Sequence, residues 1–164
     1  MKKILITIVV VAIALLGVSR SASAEAPHLV SADFTYVPNC SPEDMKLAND
    51  NMFLYCTDVG NWEGDFVGTS FEEYVAVLHG FEGFFVYETG FYKGKATFTG
   101  VVEGREGTLE ILFIGKSPGD INDWTGTWRI ISGTGELENL HGTGTFYNNG
   151  PLDIHLDGQI HFEP

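Results

Sequence analysis

Polar and apolar residues trade places one by one along much of this chain. At the C-terminus Leu152, Ile154, Leu156, Ile160 and Phe162 fall on one side, while Asp153, His155, Asp157, Gln159, His161 and Glu163 fall on the other. That two-residue period belongs to a strand with one buried face and one wet face. Leu109, Ile111 and Phe113 repeat the pattern; the opposing Glu110, Leu112 and Ile114 are also mostly apolar, which predicts a strand covered on both faces. Further strands are predicted over Leu29 to Val37, Trp62 to Thr69, Tyr74 to His79, Gly83 to Glu88, Ala96 to Glu103, Thr125 to Ile131 and Gly142 to Tyr147, seven to nine in all. Turn chemistry separates them at Glu103-Gly104-Arg105-Glu106-Gly107, Ser132-Gly133-Thr134-Gly135 and Asn148-Asn149-Gly150-Pro151, and Asn149-Gly150 is a strong hairpin signal. Long helical periodicity is scarce. The expected architecture is an antiparallel meander that either closes on itself or folds into two sheets.

Glycine favours closure. Outside the first 24 residues the chain keeps 19 of its 20 glycines, Gly17 being the exception, and Gly64, Gly68, Gly100, Gly126, Gly142 and Gly144 sit between strand-like neighbours. Glycine inside a strand marks a bulge, a sharp coil or close backbone approach, the devices a small barrel uses to curve. The fold class read from these features is all-β: a small antiparallel barrel of about eight strands. One segment breaks the rhythm. Residues 38–61 hold both cysteines, Cys40 and Cys56, and a helix-start signal at Ser41-Pro42-Glu43-Asp44. We read it as an insertion, either a lid or a structural plug, with a loop or short helix over about 42–49 pinned by a Cys40–Cys56 disulfide. A metal pair is disfavoured because no histidine lies near enough to complete a zinc pattern.

The N-terminus reads as an export signal. Lys2 and Lys3 precede an apolar run from Ile4 to Leu16, and Ala22-Ser23-Ala24 supplies small residues for cleavage between Ala24 and Glu25. The run is shorter than the ~20 residues that span a bilayer. This predicts a secreted or periplasmic single domain, 25–164, free of the membrane once the signal is removed, in a compartment that permits the disulfide. Charge sharpens the picture. Lys2, Lys3 and Arg20 leave with the leader, so 9 basic residues fall to 6 against 22 acidic ones and the net charge moves from −13 to −16. Such a surface repels phosphate backbones, which excludes nucleic acid as a partner.

Three groups of residues carry a further signal. They are Trp62-Glu63-Gly64-Asp65-Phe66-Val67-Gly68; Thr97-Phe98-Thr99-Gly100 with Gly104-Arg105-Glu106-Gly107-Thr108-Leu109; and Trp128-Arg129-Ile130-Ile131-Ser132-Gly133-Thr134-Gly135-Glu136-Leu137 continuing to Leu140-His141-Gly142-Thr143-Gly144-Thr145-Phe146. In these motifs the chain resembles the bacterial DUF3224 family over about residues 62–146, a family similar in fold to the allene oxide cyclase barrel and so calycin-like. The resemblance implies a barrel with a central apolar cavity. It does not cover the cysteine-bearing segment, and it supplies no catalytic residue set.

The cavity implied by the resemblance gives the functional expectation: a small apolar ligand, with cofactor-free cyclase or isomerase activity as the enzymatic form of that reading. Confinement chemistry of this kind needs shape and aromatic lining more than reactive groups. Trp62, Phe66, Tyr87, Glu88, Phe113, Trp128 and Phe146 are the candidates to line the cavity, although aromatics can equally fill a barrel of this size. Glu88 follows Phe84-Phe85-Val86-Tyr87 and offers a carboxylate for acid–base work if buried; Arg105 sits in a turn at a barrel mouth. His155 and His161 share a strand face with three acids, but six residues of strand put them ~20 Å apart, too far for one metal ion. No metal and no cofactor is expected. Nucleophile elbows, phosphate loops and paired-cysteine zinc spacings are missing from the sequence, so hydrolase and phosphotransferase readings have no support. The competing reading is a non-enzymatic extracellular module that meets a protein or glycan. Leu112 and Ile114 suit burial between copies of the chain in a homo-oligomer.

Overall fold

A computed structural model describes residues 25–82 and 86–164. The expected export signal, with Ala24, and the start of the strand expected over Gly83 to Glu88 lie outside the described residues. In chain order the described strands are β1 (His28–Asn39), β2 (Met45–Ala48), β3 (Asn51–Gly64), β4 (Phe66–His79), β5 (Thr89–Val102), β6 (Arg105–Ser117), β7 (Thr125–Gly135), β8 (Leu140–Gly150) and β9 (Asp153–Phe162). Consecutive strands pair antiparallel from β2 round to β9; β1 pairs with β9 on one side and with β3 on the other. Eight strands therefore close into a barrel and β2 hangs on β3 as an extra hairpin arm. Of the two architectures the alternation allowed, the closed one is found.

Closure follows from parity. Even-numbered residues point inward on β1, β3, β4, β5, β8 and β9 and on β7 as far as Ile130, beyond which a register shift against β6 changes the parity; on β6 the odd-numbered ones point inward. Bulk must then be matched across the interior. Gly60 shows how: a Cβ there would come within 2.0 Å of the Phe34 ring, so glycine on β3 is what lets a β1 aromatic lie flat across the barrel.

Two expected elements differ. Trp62 to Thr69 is not one strand but a hairpin, turning at Gly64 and Asp65, where Gly64 takes a left-handed φ of +100°. Residues 86–88 are not a strand; Val86 makes a single bridge. The cysteine-bearing segment also has an unexpected form. Its helix is a three-residue 3-10 turn, Pro42–Asp44, preceded by the Ser41 capping box, and residues 51–61 run within the barrel wall as most of β3. The Cys40–Cys56 disulfide is formed, tying the chain just beyond β1 to an inward-facing position of β3. β6 is covered only on its inner face, since Ile114 stays 39 % exposed.

The two ends of the barrel are filled differently. The end bearing the β3–β4, β5–β6 and β7–β8 turns is solid. Phe98, Val102, Leu109, Ile111, Leu137, Leu140 and Ile160 are fully buried there, and Trp62 contacts Phe34, Phe66, Phe98 and Phe113 at ring separations of 5.0 to 6.4 Å. The void against Val30, Ala32, Trp62, Phe66 and Trp128 measures about 10 Å3, room for no more than a water. The opposite end, ringed by the disulfide segment and the β4–β5, β6–β7 and β8–β9 connections, is hollow.

Candidate functional site

The hollow end holds a cavity of about 510 Å3, within the size range of small-molecule sites. Its lining combines aliphatic side chains, among them Met45, Met52, Leu54, Leu78, Ile121 and Leu152, with the aromatic Phe34, Tyr36, Tyr74, Tyr92, Trp124 and Phe146. Two acids, Asp58 and Glu72, lie among them, and the described residues of the lining include no lysine, arginine or histidine.

Local hydropathy is inverted where these acids sit. On β3 Asp58 is 5 % exposed while its neighbour Val59 is 56 % exposed; on β4 Glu72 is 2 % exposed while Phe71 is 46 % exposed. The strand parity set by Cys56, Trp62, Phe66 and Ser70 leaves no alternative, because shifting the register by one residue would expel all four. Asp58 and Glu72 are also register partners, directly opposite each other on adjacent strands. Two like charges in that relation repel, and burial alone costs each of them solvation.

The chain answers this with hydroxyls and protons. Tyr92 donates a hydrogen bond to Glu72 Oε1, and its ring lies 5.3 Å from that of Tyr74, whose hydroxyl is 3.5 Å from Cys40 Sγ. Gly94, opposite Tyr74 on β5, makes the room: a Cβ there would meet Glu72 Oε1 at 2.3 Å and the Tyr92 hydroxyl at 2.8 Å. Burial pushes the Asp58 carboxyl up to about 7, against the pull of the Tyr74 hydroxyl and the Asn39 backbone. Burial likewise pushes Glu72 up to about 8, opposed by the Tyr92 hydrogen bond and assisted by the nearby Asp58 charge. Tyr36 rises to about 12 through burial and then the Asp58 charge; burial raises Tyr74 and Tyr92 further still. Burial thus favours the protonated form of both carboxyls, and Asp58 Oδ1 has no hydrogen-bond partner among the described residues. Such a site can accept a hydrogen bond, donate one, or hold a positive charge.

Of the seven residues expected to line a cavity, Phe146 does so. Trp62, Phe66, Phe113 and Trp128 instead belong to the solid core. Tyr87 is buried outside the cavity lining, its hydroxyl 2.9 Å from Ser117 Oγ, and Glu88 is exposed. Sequence reading missed Asp58, Glu72, Tyr36, Tyr74 and Tyr92. Arg105 lies at the solid end, stacked 3.6 Å from the Phe162 ring.

Polar clusters among the described residues also lie outside the cavity. His155 places Nδ1 2.6 Å from Asp33 Oδ1 and Nε2 3.3 Å from both Ser31 Oγ and Asp157 Oδ1. This stands on the outer wall of β1 and β9, and the Ser31 amide already donates to Asp65 Oδ2, so nothing there resembles an oxyanion site. Glu25, His28 and Glu103 bring ligand atoms within 4.8 Å of one another. Their surroundings are exposed, and the Arg105 guanidinium is 3.6 Å from Glu25.

Comparison with known proteins places this barrel. The model of the family described as "Protein of unknown function (DUF3224)" matches residues 48–157. The chain belongs to the DUF3224 family. A crystal structure of a DUF3224 protein of unknown function from Shewanella oneidensis MR-1 is similar in fold, with a TM-score of 0.68 at 16 % identity, covering 85 % of this chain and 100 % of that one. A search of curated proteins finds no match. The DUF3224 match begins within β2 and takes in β3 with Cys56 and Asp58, so it reaches into the segment that the sequence motifs left uncovered.

Proposed function

We propose that this DUF3224 protein binds a small, largely apolar molecule in the hollow end of its barrel. The observation that carries the reading is the asymmetry of the interior. A chain able to pack one end to a residual 10 Å3 leaves about 510 Å3 at the other, and it lines that space with aliphatic and aromatic side chains around a few converging polar groups. The disulfide stiffens the rim of this space, through Cys40 in the lining. Export, inferred from the N-terminal signal, would place the binder in an oxidising compartment that keeps this bond.

The Asp58, Glu72 and Tyr92 cluster also suits proton transfer without a cofactor, the chemistry an isomerase or cyclase would need, because carboxyls that titrate near neutrality can both give and take a proton. Binding is the primary reading.

The test is titration with a neutral fluorescent probe, N-phenyl-1-naphthylamine. Its emission is expected to rise on addition of the protein and to saturate at one molecule per chain. Ala76→Trp, at a buried position of the cavity lining, is expected to abolish the rise while leaving the melting temperature within a few degrees. A folded parent that gives no saturable rise, or a plugged variant that binds as well as the parent, would overturn the reading and favour contact through the outer wall. There Val37, Val59 and Phe71 form an exposed apolar row across β1, β3 and β4.

A further inference from the structure

The cavity's charge pattern says more about its ligand than its size does. Among the described residues the lining holds two carboxyls and no basic side chain. These carboxyls face one another across adjacent strands, and each is more than nine-tenths buried. Buried charges elsewhere in proteins are paired or metal-bound. The groups packed round this pair are the hydroxyls of Tyr36 from β1, Tyr74 from β4 and Tyr92 from β5, with Asn148 from β8 hydrogen-bonded to Tyr36. One of those hydroxyls, Tyr92, is committed to Glu72. Asp58 Oδ1 is left without a partner among the described residues.

A neutral ligand needs none of this. Two apolar residues at positions 58 and 72 would have made a better packed and more stable floor for it. The aromatic rings add a second preference, since tyrosine and tryptophan faces attract cations, most strongly where water is excluded. The net charge of the whole chain, −13 with the leader included, favours the approach of cations over anions.

We infer that the ligand is an apolar amine: a hydrophobic body packed against the cavity's apolar lining, with a protonated nitrogen seated against Asp58 and Glu72 among Tyr36, Tyr74 and Tyr92. This rests on the cavity-binding reading and narrows its ligand class. Burial favours the protonated carboxyls, so seating a cation between them expels protons and affinity for such an amine rises with pH until the amine itself loses its charge. A neutral molecule of the same shape shows no such rise.

The experiment compares two cages of equal shape, 1-adamantanamine and 1-adamantanol, by isothermal titration calorimetry on the full protein at pH 5.5 and pH 8.5. At pH 8.5 the amine is expected to bind at least tenfold more tightly than the alcohol; at pH 5.5, with both carboxyls protonated, the preference is expected to shrink to threefold or less. Asp58→Asn with Glu72→Gln keeps the shape and removes the charge, and should erase the preference. Equal binding of the two cages at pH 8.5 would overturn the amine assignment and leave the cavity reading standing. So would an amine preference that survives in the double variant, since it would then come from the acidic surface. If neither cage binds nor displaces N-phenyl-1-naphthylamine, both readings fall together. The pH series on the parent protein decides the ligand class even if the double variant does not fold.

Discussion

The two ends of the barrel share strands, parity and aromatic content, and differ in what the inward positions hold. At the solid end β3 and β4 contribute Trp62, Phe66 and Ser70, with the indole of Trp62 donating to Ser70 Oγ at 2.9 Å. Two to four residues further along the same strands, they contribute Asp58, Glu72 and Tyr74 beside empty space. One end obeys the rules of a well-packed core; the other departs from them by burying like charges and leaving a hole. Local departures of this kind lower stability and persist where function needs them. The comparison therefore places the tight packing that holds the fold at one end and, under the proposal above, the ligand at the other.

The largest expected effect breaks the solid end. Phe98→Ala removes a fully buried ring that touches Trp62 and Phe66, and should lower unfolding free energy by about 3–5 kcal/mol in urea denaturation. Leu54→Ala, in the cavity lining, enlarges a space that already exists and should cost about 1 kcal/mol or less. Equal losses at the two positions would remove the distinction between the ends.

The disulfide comes next. Cys40→Ser with Cys56→Ser frees a 16-residue separation and should cost about 3 kcal/mol in the chain-entropy account. It should also weaken N-phenyl-1-naphthylamine binding, because Cys40 is part of the cavity wall. Binding retained at full strength would detach the bond from the site.

A smaller effect sharpens the comparison through pH. The carboxyls of Asp58 and Glu72 ordinarily titrate near 3.8 and 4.5, and here burial raises them to about 7 and about 8. The folded chain thus holds protons that the unfolded chain has already released. Its stability from this pair is complete below about pH 4 and drains away as pH rises through 7 and 8. Asp58→Asn with Glu72→Gln should flatten that decline and leave the variant more stable than the parent at pH 8. Thermal melts of both proteins from pH 5 to pH 8.5 measure it; a variant less stable than its parent at pH 8 would show the pair to be a structural asset.

Much of the solid end is legible in sequence, because alternation, in-strand glycines and turn residues report directly on strands that are buried on one face. The β3–β4 hairpin escapes for a specific reason. Trp62 and Phe66 both point inward and the even parity continues across Gly64 and Asp65, so the pattern shows no break where the chain reverses. The 38–61 segment reads as an insertion because its capping signal is real, yet that signal serves a three-residue turn. The site escapes for the opposite reason: hydropathy places Val59 and Phe71 inside and Asp58 and Glu72 outside, and only the register of the closed sheet reverses that order. Aromatics can be counted in sequence but not assigned to an end, which is why Trp62, Phe66, Phe113 and Trp128, expected in the cavity, are core.

The three tryptophans offer a direct test of the division. Trp62 and Trp128 lie in the solid core, their indole N–H groups donating to Ser70 Oγ and the Asp157 carbonyl, whereas Trp124 lines the cavity. In a 15N-labelled sample titrated with 1-adamantanol, the indole cross-peak of Trp124 should shift with saturation while those of Trp62 and Trp128 hold their positions. Equal shifts in all three, or movement of Trp62 and Trp128 with Trp124 unchanged, would contradict a barrel that is solid at one end and built for a ligand at the other.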